Sequence, residues 1–465
     1  MSFRYADIFA GIGGFHAALG ALGGECVYAS EIDEDAARVY RHNWGLRPDG
    51  DITLAANDTT MRIPEHDVLV GGFPCQPFSK SGKQRGMDEA RGTLFWNIAK
   101  IIEVRRPTMV LLENVRNLAG PRHTHEWDVI IQTLRSFGYR VSSVPFVVSP
   151  HRIRPEFGGR PQVRERVFIA GTLAYQTGSH LSEEPSTLDL ANVECQWNPL
   201  SWDLNKHLPL EKLGGRSRQS LGLSDAETEW IEAWNEFVVL MKPRLSESGL
   251  PGFPIWVDAW TDSDSLSIPR GTPDWKKNFL IKNAAFYTEH RSVLDPWLHR
   301  WSNLEHFPPS RRKFEWQAQE TRDLWSTVLH FRPSGIRAKK ATYVPAMVAI
   351  TQTSIIGSQR RRLSTREGAR LQGLPDWFNF LEQSDAVTFK QLGNAVNVGV
   401  VYNVLRSQVL RDLDLLVDRP ELVRSILGAS PNPDFPLSDQ SKFHRIPNLT
   451  NGSLPDADQL DLRFA

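Results

Sequence analysis

Few residues in this chain can do covalent chemistry, and one of them is placed with unusual care. Only three of the 465 residues are cysteine, Cys26, Cys75 and Cys195. Cys75 lies in a stiff stretch, GGFPCQPFS (71–79), directly after the apolar run DVLV. Pro74 and Pro77 fix φ on either side and so fix the direction of the thiol. A thiolate is a soft nucleophile suited to an electron-poor carbon, provided an electropositive setting lowers its pKa. A buried, inert cysteine is the alternative. Glu113 follows the apolar run TMVLL, where burial raises a carboxyl pKa and keeps a proton available for general acid work; a carboxylate capping the next turn is the bland reading. QVRER supplies Gln162, Arg164 and Arg166, with two guanidiniums at i and i+2, on the same side of a strand.

A second constellation points to a bound nucleoside. The run Asp7-Ile-Phe9-Ala-Gly11-Ile-Gly13-Gly14 follows an expected strand and opens an expected helix, where backbone N–H groups meet nucleotide-type ligands. It departs from G-x-G-x-x-G, and a tight strand-to-helix turn is the alternative. Glu31, at the end of CVYASE, is placed to accept hydrogen bonds from ribose hydroxyls. Asp51, in Gly50-Asp51-Ile52 at the end of a third short segment, is placed to meet an adenine amino group.

These residues need elements to hold them. Through the first 115 residues short apolar runs alternate with amphipathic stretches, which predicts an α/β, doubly wound, Rossmann-like domain with a mostly parallel sheet. RERVFIAGT (164–172) reads as one more strand, antiparallel at the edge. From 190 to 330 the rhythm stops and eleven of the fifteen tryptophans appear. Residues 225–242 read as a helix with Trp230, Trp234 and Phe237 on a core-facing side. The expected organisation is a catalytic domain over 1–188, an inserted domain over 189–358, a return to the first domain over 359–427, and a loosely ordered tail over 428–465.

Lys plus Arg and Asp plus Glu are equal at 54 each. Residues 311–370 nevertheless hold thirteen basic against four acidic residues, a stripe able to steer a phosphate backbone or simply to be solvated. The few, scattered cysteines favour a reducing compartment, and no CxxC pair argues for zinc or another metal. Neither a signal-peptide pattern nor a long apolar run is present, so a cytoplasmic protein without a membrane span is expected.

Taken in order, DIFAGIGGF, GGFPCQPFS, LLENV and QVRER resemble the cytosine-C5 DNA methyltransferase family. RRRLSTREGARLQGLPDWF (360–378) and FKQLGNAVNVGVV (389–401) resemble its ninth and tenth motifs, so the likeness covers roughly half of the chain. The resemblance implies a base flipped from duplex DNA, with Cys75 adding to its carbon 6, Glu113 protonating N3, Asn114 reading the amino edge through its backbone, Arg166 holding O2 and Arg164 supporting the pocket. It implies S-adenosylmethionine as cofactor, held by Asp7, Phe9, Gly11, Gly13, Gly14, Glu31, Ile32, Asp51, Ile52, Pro74, Leu94, Asn394 and Val396. The loop after Cys75 is then a mobile lid on DNA, with Gln76 near the emptied site, Ser79 on a phosphate and Ser81 entering the duplex. The resemblance implies that residues between 172 and 360 read the target but gives no residue code; since arginines suit guanine edges and lysines suit phosphates, Arg332, Arg337 and Lys339 are the leading candidates, with phosphate contact alone as the alternative. Asn397 departs from the family's common proline.

The resemblance further implies a monomer that modifies double-stranded DNA, with a restriction endonuclease acting on the same site without direct contact. A transfer-RNA cytosine methyltransferase and a non-catalytic DNA-binding relative are the rival readings. The tryptophan-rich insert and FPCQPFS favour duplex DNA, and the set Cys75, Glu113 and Arg166 favours catalysis.

Overall fold

The protein was analysed as a computed structural model, which describes residues 3–74, 93–174, 184–194, 197–212, 214, 220–245, 249–347 and 353–443. Four short apolar segments form parallel strands: β1 (Arg4–Ile8), β2 (Glu25–Ser30), β3 (Val68–Gly72) and β4 (Met109–Val115). Then follow β5 (Tyr139–Arg140), β6 (Phe146–Val148), β7 (Gln162–Val163) and β8 (Arg166–Leu173). The sheet order is β2-β1-β3-β4-β8-β5, with β6 also pairing β8. β8 is antiparallel to β4, as expected, but it is not an edge strand, because β5 and β6 pair along its other side. The parallel character is thus confined to the first four strands.

Strand side chains alternate between two apolar layers. Tyr5, Val68, Val70, Met109, Leu111, Phe168 and Ala170 pack on one face. Against them lie α1 (Gly14–Ala21), α2 (Glu34–Trp44) and the returning helix Val398–Arg411. Ala6, Ile8, Leu69, Val110, Leu112, Val167 and Ile169 pack on the other, against α3 (Leu94–Arg105) and α4 (Thr124–Ser136). Both faces are covered, which is why these strands read as continuous apolar runs.

The inserted sheet contains β9 (Ile255–Trp256), β10 (Lys313–Gln317), β11 (Thr327–Arg332), β12 (Gly335–Lys340), β14 (Ile355–Ile356) and β15 (Arg361–Arg362), in the order β15-β14-β11-β12-β10-β9. β13 (Val344–Pro345) instead pairs with β7, tying the insert to the first domain. One face of the inserted sheet is covered by α5 (Asp225–Met241) and α6 (Asp274–Arg300). Trp234, Phe237 and Trp297 fill that core with Phe314 and Trp316, and the indoles of Trp234 and Trp297 donate to the carbonyls of Arg311 and Ala233. The helix expected over 225–242 is present, begun by a Ser224–Glu227 capping box. Its tryptophans are core or rest against it.

Three expectations need correction. Leu188, Leu190 and Val193 belong to the core of the first sheet, and the Trp197 and Trp202 indoles donate to the His151 carbonyl, so the chain remains on the first domain beyond residue 189. The tail is not loose from 428 onward: Leu437 and Phe443 are buried in the first domain, and Trp377 donates to the Leu437 carbonyl. The basic stripe is largely neutralised within the fold. Arg312, Arg337, Lys340, Arg360, Arg361, Arg362 and Arg370 pair with Asp258, Glu315, Glu320, Glu232, Glu367, Glu227 and Asp376 respectively. Those acids lie mostly outside the counted window, so a local charge count overstated the field.

Candidate active site

The chain runs from β1 out to β2 and then back to β3 on the other side of β1, creating a switch point at the carboxyl ends of these strands. A cavity of about 550 Å³ opens there, within the usual range for a small-molecule site. Its wall is built from the ends of four strands: Phe9 after β1, Ser30 and Glu31 at β2, Gly72 and Phe73 at β3, and Glu113 and Asn114 on β4.

The glycine loop is shaped by close contacts. Phe9, Gly11 and Gly13 have φ of 55°, 55° and 91°, a left-handed run that favours glycine and strains Phe9. At Gly13 a Cβ would lie 2.1 Å from Trp44 Nε1, and that indole donates to the Ile12 carbonyl at 2.9 Å. At Gly14 a Cβ would lie 2.6 Å from the Val396 carbonyl oxygen. The Gly11 amide donates to Glu31 Oε2 and the Asp33 amide to Glu31 Oε1, both at 2.8 Å. Glu31 is thereby held at the cavity wall. Asp51 is not at a strand end; it caps the one-turn helix Ile52–Ala55 by accepting from the Thr53 amide. It still reaches the cavity.

At the other end Glu113 and Arg166 form an ion pair at 2.9 Å. Burial raises the Glu113 pKa, and the charges of Arg166 and Arg164 oppose that shift only in part. β3 and β4 are in register with Gly72 beside Glu113, and Asn114 Nδ2 donates to the Phe73 carbonyl at 2.8 Å. The acid therefore stands next to the strand that enters FPCQPFS. Arg164 and Arg166 both line the cavity but do not share one strand, because Arg164 falls in the break between β7 and β8. Arg164 is buried and donates to the carbonyls of Gly393, Ala395 and Met347 at 2.9, 2.6 and 3.2 Å. Burial lowers its pKa, yet a guanidinium stays charged at any working pH. It clamps the returning segment to the catalytic sheet.

Asn397, the departure from proline, caps the helix Val398–Arg411 by accepting from the Val400 amide and donates to the Leu371 carbonyl. Asparagine there does by hydrogen bonding what a proline does by restricting φ.

Of the expected cofactor residues, Phe9, Gly11, Glu31, Ile32, Asp51, Ile52, Pro74, Leu94 and Asn394 line the cavity. Asp7, Gly13, Gly14 and Val396 lie behind that wall. Asp7 is fully buried, and burial followed by the charge of Glu31 raises its pKa well above the carboxylate range, with only the His16 amide opposing. Cys75, Gln76, Ser79 and Ser81 lie outside the described residues. Arg332, Arg337 and Lys339 sit on the inserted sheet, away from the cavity. Sequence reasoning missed Asp33, Met347, Lys390 and Gln391, which also line it. Lys390 reaches across to Asp33 at 2.9 Å, closing the glycine-loop side onto the returning segment. The available signal was helical spacing, since Lys390 and Gln391 precede Gly393 and Asn394 by about one turn.

A family model described as C-5 cytosine-specific DNA methylase matches residues 3–409. The Type II methyltransferase M.AluI of Cellulosimicrobium cellulans is 44% identical, with 92% of this chain and 97% of that protein aligned. The Type II methylase M.HgiEI of Herpetosiphon aurantiacus is 38% identical over 86% of this chain and 95% of that protein. The Type II methyltransferase M.HhaI of Haemophilus parahaemolyticus is 42% identical over a shorter region, 36% of this chain and 48% of that protein. A solved structure of a putative DNA modification methyltransferase encoded within a prophage (E. coli) aligns with a TM-score of 0.45 and 19% identity, covering 90% of this chain and 100% of that one.

Proposed function

This chain belongs to the C-5 cytosine-specific DNA methylase family, and on that premise we propose a reaction in which each group of the cavity has one task. Methyl transfer to carbon 5 of cytosine in DNA is the family's reaction. The Cys75 thiolate adds to carbon 6 of a flipped cytosine, forming a C–S bond while the displaced π electrons are accommodated as N3 takes a proton from Glu113. Carbon 5, now enamine-like, takes the methyl group. Loss of the carbon-5 proton to a base, expulsion of the Cys75 thiolate and return of the N3 proton to Glu113 restore the double bond and release neutral 5-methylcytosine. Arg166 positions Glu113 and holds the base oxygen, and Arg164 keeps the returning segment in place.

The methyl donor is read as S-adenosylmethionine, which supplies a sulfonium-activated methyl group when bound. The cavity fits it: Glu31 is held for ribose hydroxyls, Asp51 for a base amino group, and Gly11 leaves the approach open, since a Cβ there would meet nothing within 4 Å. Phe9, Ile32, Ile52, Pro74, Leu94 and Asn394 supply the remaining wall.

The observation that carries this reading is the pairing of Gly72 with Glu113, which sets a buried acid beside the chain leading into Cys75. The M.AluI alignment leaves fewer residues of this chain unmatched than the insert contains, so the likeness runs through the recognition domain. The two enzymes are read as sharing a target sequence, with this chain acting as a monomer and as the modification half of a restriction-modification pair. Duplex DNA carrying 5-fluorocytosine should become covalently attached to the wild-type protein in the presence of S-adenosylmethionine, and Cys75→Ala should abolish both attachment and methylation while still binding DNA. Normal turnover by that variant eliminates the covalent mechanism. Bisulfite sequencing after expression in a methylation-free host reads the target and compares it with that of M.AluI.

A further inference from the structure

The cavity has a seam where two remote parts of the chain meet. One side is the turn Glu31-Ile32-Asp33 between β2 and α2, and the other is the helix Asp385–Asn394, whose Lys390, Gln391, Gly393 and Asn394 line the wall. That helix is firmly anchored: Phe389 and Leu392 are buried in the first core, and Arg164 holds the carbonyls of Gly393 and Ala395. Lys390 is different. Its side chain is 54% exposed, crosses the seam and donates to Asp33 Oδ2 at 2.9 Å. Ile32, next to Asp33 in the chain, is 71% exposed, so the seam lies at the mouth of the cavity.

Asp33 is a joint. Its Oδ1 caps α2 by accepting from the Ala36 amide, its Oδ2 accepts from Lys390, and its own amide donates to Glu31 Oε1. Glu31 Oε2 takes the Gly11 amide, so each Glu31 oxygen is held by an amide and keeps lone-pair capacity for a ribose hydroxyl. The bond from Lys390 lowers the Asp33 pKa. The same bond raises the Lys390 pKa, helped by the charges of Asp33, Asp35 and Glu31. Both partners are therefore charged at neutral pH. Glu31 and Asp33 are like charges two residues apart, and Lys390 is the cation that offsets their repulsion.

We propose that Lys390 is a positioning residue for the methyl donor: by fixing and neutralising Asp33 it keeps the Asp33 amide on Glu31 and so aims the Glu31 carboxylate at the ribose hydroxyls. Lys390 and Asp33 act through Glu31 rather than on the donor. The size of the effect is bounded, because an exposed ion pair shifts an equilibrium by no more than about fivefold and weakens in salt. The pair therefore tunes donor affinity without being required for it. The inference deepens the donor assignment made above and rests on S-adenosylmethionine being the donor.

The test measures affinity by calorimetric titration of the full chain, without DNA, for the product S-adenosylhomocysteine and for its analogue lacking both ribose hydroxyls. Lys390→Met keeps the stem without the charge, and Asp33→Asn keeps the cap and the amide without the charge. Each should weaken S-adenosylhomocysteine about two- to fivefold at low salt. The double variant should be no weaker than the worse single one, because both changes break one link. Lys390→Arg should restore wild-type affinity, and added salt should shrink the gap between wild type and Lys390→Met. The analogue should bind wild type and variants alike, since it offers Glu31 no hydroxyl. If Asp33→Asn fails to fold, the exposed position decides through Lys390→Met and Lys390→Arg. S-adenosylhomocysteine affinity within about 1.3-fold of wild type in the single variants overturns the proposal. So do additive losses, or equal weakening of both ligands, which would place the effect on the cavity as a whole. If wild type binds no S-adenosylhomocysteine, the donor assignment fails and the proposal with it; if wild type binds it and the variants match, the proposal alone fails.

Discussion

At Glu113 burial and ion pairing pull in opposite directions. Burial favours the neutral acid, Arg166 at 2.9 Å and the nearby Arg164 favour the carboxylate, and the net shift is upward. A raised pKa means that the proton is retained above the ordinary carboxylate range and is lost as pH rises through the raised value. The donor form in the proposed mechanism is therefore depleted on the alkaline side. Glu113→Gln keeps the shape without the transferable proton, and it should lower kcat by about 10²–10⁴. It should also remove the part of the alkaline decline in wild-type kcat/KM that belongs to this group. Turnover within about threefold of wild type, with an unchanged pH profile, would exclude Glu113 as the acid.

Among the elements, the glycine loop and the returning segment act as one unit. Gly14 meets the Val396 carbonyl oxygen, Lys390 meets Asp33, and Arg164 holds the carbonyls of Gly393 and Ala395. A methyl group at Gly14 has no flexible neighbour to displace, because the nearest atom is backbone at 2.6 Å. Gly14→Ala should cost about 1–3 kcal/mol of stability. It should also weaken S-adenosylmethionine binding about tenfold or more by pushing the segment 393–396 away from the cavity. Calorimetric titration and urea unfolding check the two effects, and unchanged values in both would mean that this contact is not tight. The elements themselves were largely legible in the sequence, because apolar alternation and glycine clusters are local patterns. What was not legible was the break between β7 and β8, which places Arg164 outside either strand although QVRER reads as a continuous run.

Across the whole molecule, the chain closes on itself in two places remote in sequence from the catalytic motifs. At the junction between domains, Arg361 and Glu367 form a buried ion pair, and the Glu211 amide donates to Glu367 Oε1. Breaking such a pair from one side leaves an uncompensated charge. At the far end Phe443 packs against Gly20, Trp44 and Trp377, so the last described turn seals the first domain near the helix that follows the glycine loop. Phe443→Ala should cost about 3 kcal/mol or more, the usual range for a buried phenylalanine. Urea unfolding measures it, and a loss below about 1 kcal/mol would contradict the packing.

The sequence by itself was enough to single out the candidate groups, since a proline-flanked cysteine, an acid after an apolar run, paired arginines and a glycine loop are each readable within a few residues. It also determined the α/β class, because a strand buried on both faces must be apolar throughout. Tertiary structure alone decided that Asp33, Met347, Lys390 and Gln391 join the cavity, that residues 188–193 and 437–443 belong to the first domain, and that most of the 311–370 cations are matched by acids. Each of these depends on groups brought together from distant parts of the chain, and no local pattern encodes which distant group arrives.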